Sequence, residues 1–275
     1  MDELFSAHND DAPSPVLVTK NGGVLRLAMN RAPANALSIA MMTAMKKALD
    51  EGARDAEVRA IVIASANPGK IFCAGHDLKE LTSHRQDADQ GAAFYKQTFD
   101  LCASLMMAIV ENPKPVIAEV DGLATAAGCQ LVATCDLAVC TDTSAFCTPG
   151  VNIGLFCSTP MVALSRAAHR KQAMEMLLTG ETIDAATAKD FGLVNRIVPR
   201  QYLNQIIEKY TQTIVSKPQK TLTIGKQAFY QQAEMNLRDA YDFTAQVMVE
   251  NMLGNESKEG ISAFIEKRMP DWSKA

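Results

Sequence analysis

Apolar and polar residues alternate from Val16 to Thr19 and again from Val24 to Met29, on either side of Asn21-Gly22-Gly23. A period of two around such a turn predicts a β-hairpin. Beyond Ser38 the period lengthens. Met41, Met42, Met45 and Leu49 recur at the spacing of one helical face, with Ser38 placed as its N-cap. Three later stretches lose the alternation: VRAIVIAS at 58–65, PVIAEV at 115–120 and DLAVC at 136–140 are nearly unbroken apolar runs. Runs of this kind predict strands buried on both faces. A helical pattern over roughly residues 88–110 lies between the first two, with Met106 and Met107 read as core. Strands that alternate with helices predict right-handed crossover units and an α/β core.

After about Arg166 the pattern turns to helices, interrupted by the short apolar piece LVNRIVP at 193–199. The chain closes on EGISAFIEKR at 259–268, where Ile261, Phe264 and Ile265 keep helical spacing. The expected organisation is therefore a loose N-terminal arm at 1–15, an α/β core at 16–200 and a helical C-terminal region at 201–275. The opening MDELFSAHNDDAPSP is acidic and proline-containing, unlike an Arg-rich transit peptide or an apolar signal sequence.

Composition narrows the functional classes. At 275 residues and 48% hydrophobic the chain can bury a sizeable core. Lys and Arg number 27 against 31 Asp and Glu, net -4, with no basic run, which argues against a nucleic-acid partner. No apolar run reaches the roughly 18 residues of a membrane span. Seven cysteines, an odd count without a C-x-x-C pair, read as reduced thiols, and the expected address is cytoplasmic. Cys102, Cys135 and Cys140 read as small core residues. Four scattered histidines and no paired cysteines offer no metal-ligand set and no sign of a redox cofactor.

Two segments share one design, an apolar strand running through a small-residue loop into a helix. They are IVIASANPGKIFCAGHDLKEL at 61–81 and PVIAEVDGLATAAGCQLVA at 115–133. At such junctions backbone N–H groups lack intrahelical partners and the helix dipole adds partial positive charge. Two of these groups converging on one point make an oxyanion hole, which holds the negative oxygen of an enolate. The alternative is that Ala74, Gly75, Ala126 and Ala127 only let helix and strand pack closely. The chain has no G-x-G-x-x-G, no Walker lysine motif, no G-x-S-x-G and no H-E-x-x-H, so phosphate-loop, serine-hydrolase and zinc-protease readings lose their support.

FCAGHDLKEL, AEVDGLATAAGCQLVATCDLAV, FCTPGVNIGLFCSTP and EGISAFIEKR together resemble the enoyl-CoA hydratase/isomerase, or crotonase, superfamily over about residues 16–270. The resemblance implies a spiral of ββα units with a helical C-terminal trimerisation region, assembled as a homotrimer or homohexamer. It implies an acyl-CoA thioester as substrate or ligand and no other cofactor, with the hole formed by the amides of His76 and Ala127. The coenzyme A end would lie near Arg31, Ala34, Ala74, Asp77, Leu78 and Lys79, while Phe264 and Lys267 would reach the coenzyme of a neighbouring subunit. Asp77 would orient the first loop or cap the helix after it.

The departures from the family matter as much. Hydratases carry glutamates at two positions occupied here by Gln130 and Gly150. Gln130 exchanges no proton at neutral pH and Gly150 has no side chain, so the usual water activation and proton delivery are lost. Some relatives place a carboxylate where this chain has Ser158, beside Cys157. The nearest ionisable alternatives are the His76 side chain and Glu119. Three readings stay open: a hydratase-lineage lyase or isomerase of weak or altered activity, a non-catalytic acyl-CoA binder, and another enolate-forming reaction such as decarboxylation or thioester hydrolysis. Small residues at 126, 127 and 150 would widen the acyl pocket, and Leu155, Phe156 and Met161 would refill it.

Overall fold

The computed structural model describes residues 14–274, so the expected arm lies almost wholly outside the described residues. Strands β1 (Val16–Asn21) and β2 (Val24–Met29) form the expected antiparallel hairpin, and helix α1 (Ile39–Arg54) follows with the Ser38 hydroxyl accepting from the Met41 amide. A repeating unit then begins. β3 (Ala60–Ser65) and β4 (Ile71–Cys73) lead into α2 (Leu78–Ser83) and α3 (Ala92–Val110). β5 (Val116–Val120) and β6 (Leu123–Thr125) lead into α4 (Ala127–Thr134). β7 (Leu137–Thr141) and β8 (Ala145–Cys147) lead into α5 (Ser158–Ala167).

Each unit gives one strand to each of two sheets. The first sheet runs β1-β2-β3-β5-β7-β10 and the second β4-β6-β8-β9, where β9 is Ile183–Asp184 and β10 is Arg196–Val198. Within the units every pairing is parallel: β3 with β5, β5 with β7, β4 with β6, β6 with β8. This is the ββα spiral, and it explains the unbroken apolar runs. Ile61, Ile63, Val116, Ala118 and Val120 point into the main core with Met41, Met42, Met45, Leu49, Cys102 and Leu105. Val62, Ile117 and Val139 point the other way, against Leu203 and Ile207 of α8 (Leu203–Val215).

Helices α6 (Arg170–Thr179) and α7 (Ala185–Asp190) flank β9, and α9 (Gln219–Ala233), α10 (Leu237–Leu253) and α11 (Asn255–Ile265) complete the helical C-terminal region. Neither α9 nor α10 contributes a buried residue within one chain. Two details depart from the sequence pattern. Helix α3 starts at Ala92 rather than near 88, because Gly91 adopts φ 86° and the Asp89 carboxylate accepts from the Gly91 and Ala93 amides in a turn. Met107 faces solvent, whereas Met106 is buried.

Candidate active site

The two small-residue junctions lie side by side because β4 and β6 are paired, with Cys73 opposite Ala124. Their loops pack against each other without a gap. A Cβ on Gly128 would sit 2.2 Å from the Cys73 carbonyl oxygen, and one on Gly75 would sit 3.0 Å from the Ala126 methyl and 3.0 Å from the Ala127 nitrogen. Gly75 also needs its φ of 80°. The close packing that these small residues permit is therefore present, and it sets the two junctions against each other.

Among the described residues, neither the His76 nor the Ala127 amide donates to a backbone carbonyl. For Ala127 the cause is its place as first residue of α4, after Ala126 at φ 51° and ψ -119°. That conformation is strained for an alanine and costs of order 1–3 kcal/mol. It is held by the Ala126 amide bonding to the Cys147 carbonyl at 2.9 Å. For His76 the cause is peptide geometry. Residue 76 forms a parallel bridge with Leu37, whose amide bonds the Gly75 carbonyl at 2.7 Å. That carbonyl and the His76 amide belong to one trans peptide and point in opposite directions, so the His76 amide faces away from Leu37.

The loop ahead of α1 is tied to the first junction. The Arg31 guanidinium binds the Ser38 hydroxyl and reaches Asp77 at 3.2 Å. The Ala74 amide bonds the Ala34 carbonyl at 3.0 Å, and the buried Asn35 side chain bonds the Phe72 carbonyl and the Ser65 hydroxyl. Asp77 caps α2 by accepting from the Lys79 and Glu80 amides, while Leu78 and Lys79 stand exposed beside it. Arg31, Ala34, Ala74, Asp77, Leu78 and Lys79 thus gather at one loop cluster. Phe264 on α11 and Lys267 just beyond it are exposed, and α11 packs against α9 and α10.

Gln130 stands one turn into α4 and is buried. Its Oε1 accepts from the Cys102 thiol at 3.8 Å. It also lines a cavity of about 870 Å³ walled by Met106, Val110, Val162, Leu193 and Phe229. Gly150 corrects one expectation, because it leaves no spare room. A Cβ there would sit 2.3 Å from the Leu155 carbonyl oxygen and 2.9 Å from the Cys157 sulfur. Leu155 and Phe156, in the segment folded over Gly150, are exposed. Ser158 is exposed at the start of α5, its hydroxyl 3.4 Å from the Phe156 carbonyl. Burial raises the Cys157 thiol above its ordinary pKa, which leaves it a protonated thiol. Glu119 is buried and paired bidentately with Arg26. The His76 ring packs edge-on against Phe99, and burial lowers its pKa.

The fold and the paired junctions define a crotonase-type protein, and the chain belongs to the enoyl-CoA hydratase/isomerase family, whose profile matches residues 19–275. Among individual relatives it is 45% identical to the Xenopus laevis protein named enoyl-CoA hydratase domain-containing protein 3, mitochondrial, over 98% of this chain and 89% of that one. The crystal structure of the human enoyl-CoA hydratase domain-containing protein 3 superposes with a TM-score of 0.88 at 42% identity, covering 94% of this chain and all 100% of that chain. An enoyl-CoA hydratase from Mycobacterium smegmatis gives a TM-score of 0.88 at 47% identity, covering 94% and 99%. The Xenopus name overturns the expected cytoplasmic address and points to the mitochondrion. Reduced cysteines report a reducing compartment and carry no address, which is why that inference failed.

Proposed function

We propose that the protein binds an acyl-CoA thioester and polarises its carbonyl between the amides of His76 and Ala127, as an enzyme of fatty-acid or carboxylic-acid CoA metabolism. The observation that carries this reading is the pair of unbonded amides on adjoining junctions, packed so closely that a Cβ on Gly75 would lie 3.0 Å from the Ala127 nitrogen. On this reading the coenzyme end lies along Arg31, Ala34, Ala74 and Asp77 to Lys79. The acyl end points past Gln130 toward the 870 Å³ cavity. Phe264 and Lys267 reach the coenzyme of a neighbouring subunit in a homotrimer or homohexamer, which fits their exposure on a C-terminal region that buries little within one chain.

The chemistry supported is enolate stabilisation, with conventional hydration strongly reduced. Each acid–base group is worth roughly 10² to 10⁴-fold, and positions 130 and 150 supply none. The sealed position at Gly150 also favours a second reading, a protein that holds acyl-CoA without turning it over. Calorimetry with crotonyl-CoA, followed by a hydration assay, tests both. Saturable binding with hydration far below family rates is expected. Ala127→Pro, which removes one amide, should abolish the binding gain that the thioester shows over free coenzyme A. Ordinary family turnover by the wild type would refute the assignment of residues 130 and 150.

A further inference from the structure

We propose that the His76 imidazole, through Nε2, is the base that removes a proton from the carbon beside the thioester carbonyl. The inference rests on the acyl-CoA reading above and supplies the proton-transfer group which that reading lacks.

His76 Nε2 and Gln172 Oε1 are the buried side-chain nitrogen and oxygen atoms that find no hydrogen-bond partner among the described residues. A buried polar atom left unmatched bears its full desolvation penalty, so a fold keeps one where it has a use. The tautomer follows from the other nitrogen. His76 Nδ1 lies 3.4 Å from the Leu37 carbonyl oxygen, which only accepts, so Nδ1 carries the proton and Nε2 holds a bare lone pair. No carboxylate contacts the ring among the described residues. Its neighbours are Leu37 and the edge-on Phe99 ring at 5.4 Å. Burial keeps the ring neutral at pH 7, as a base must be.

Position completes the case. The imidazole belongs to the residue whose own amide is half of the proposed hole. Phe99, which touches the ring, and Cys102, which bonds Gln130, lie three residues apart on one face of α3. The imidazole and Gln130 therefore flank the same strip of that helix, and Gln130 stands one turn from Ala127. In the step, the Nε2 lone pair takes the α-hydrogen as a proton and the C–H electron pair becomes the new carbon–carbon π bond. The carbonyl π pair moves to the oxygen, which the two amides hold. The reverse step returns the proton, so no co-reactant is required, and in heavy water the returned atom is deuterium.

The test uses butyryl-CoA, a saturated thioester with nothing to hydrate, incubated with the full chain in heavy water and read by mass spectrometry. The wild type should bind it and wash deuterium into the α-position. His76→Gln and His76→Asn should keep binding in calorimetry while exchange falls by at least about 100-fold. Bound butyryl-CoA without wild-type exchange, or unchanged exchange in a folded variant, overturns the role of His76 and leaves the acyl-CoA reading intact. Failure of the wild type to bind butyryl-CoA removes that reading and this one together. Nitrogen-15 NMR of labelled wild-type histidine gives a check free of any variant: a ring protonated at Nε2 overturns the proposal.

Discussion

Gln130 and Gly150 differ in the room their surroundings leave. Gln130 sits where a glutamate of nearly the same shape would sit, beside a cavity and the Cys102 thiol, so Gln130→Glu meets no steric barrier. Gly150→Glu meets the Leu155 carbonyl at 2.3 Å and the Cys157 sulfur at 2.9 Å. That variant is expected to lose about 1–3 kcal/mol in urea denaturation, the usual cost of forcing atoms into a filled space. The double variant should remain far below family rates with crotonyl-CoA. Full hydration by a stable double variant would show that the Leu155 to Cys157 segment gives way easily. Gln130 and Gly150 are readable in the sequence, because they are identities at fixed places in a motif. The closure over Gly150 is not, since it depends on residues five and seven positions onward folding back. The orphaned His76 nitrogen is invisible for the same kind of reason: a lone histidine in a sequence gives no sign of what its ring touches.

Elements were legible in proportion to their length. The hairpin, α1 and the long strands β3, β5 and β7 all follow from periodicity and apolar runs. The second sheet left no such trace, because β4, β6 and β8 have three residues each, too few to display a period. Yet this sheet sets the two junctions side by side. The docking of α9 was equally hidden, being polar. Lys226 reaches inward to the Ile109 and Lys114 carbonyls at 2.8 and 3.0 Å and to Asp136 at 2.7 Å, while the Tyr230 hydroxyl binds the other Asp136 oxygen at 2.9 Å. The Lys226 ammonium is almost fully buried, and burial is the main cause lowering its pKa. Lys226→Met should cost about 1.5–3 kcal/mol, because it removes a charge-assisted hydrogen bond from the half-buried Asp136 carboxylate, which keeps the Val116 amide and the Tyr230 hydroxyl. Tyr230→Phe should cost only about 0.5–1.5 kcal/mol. Chemical denaturation of the two variants reads this ranking, and equal losses would contradict it.

At the scale of the molecule, a single chain leaves much apolar surface on its C-terminal helices. Leu237, Tyr241 and Leu253 on α10 and Phe264 and Ile265 on α11 are each more than two-thirds exposed. The proposed homotrimer or homohexamer would cover this surface. Sedimentation should find multiples of three chains, and Leu253→Asp should shift the population toward monomer with a lower, concentration-dependent melting temperature. A monomeric wild type would contradict this assembly. The assembly is implied from sequence only through family resemblance, because helical spacing reports which residues share a face and not what covers it. The spiral itself has one more effect. The His76 and Ala127 junctions follow neighbouring parallel strands of one sheet, which lie about 4.8 Å apart, so both junctions are anchored in one hydrogen-bonded framework. The proposed pair of amides is thereby rooted in the part of the molecule that opens last: side chains around it can be exchanged to suit a new cargo while the strands beneath stay as they are.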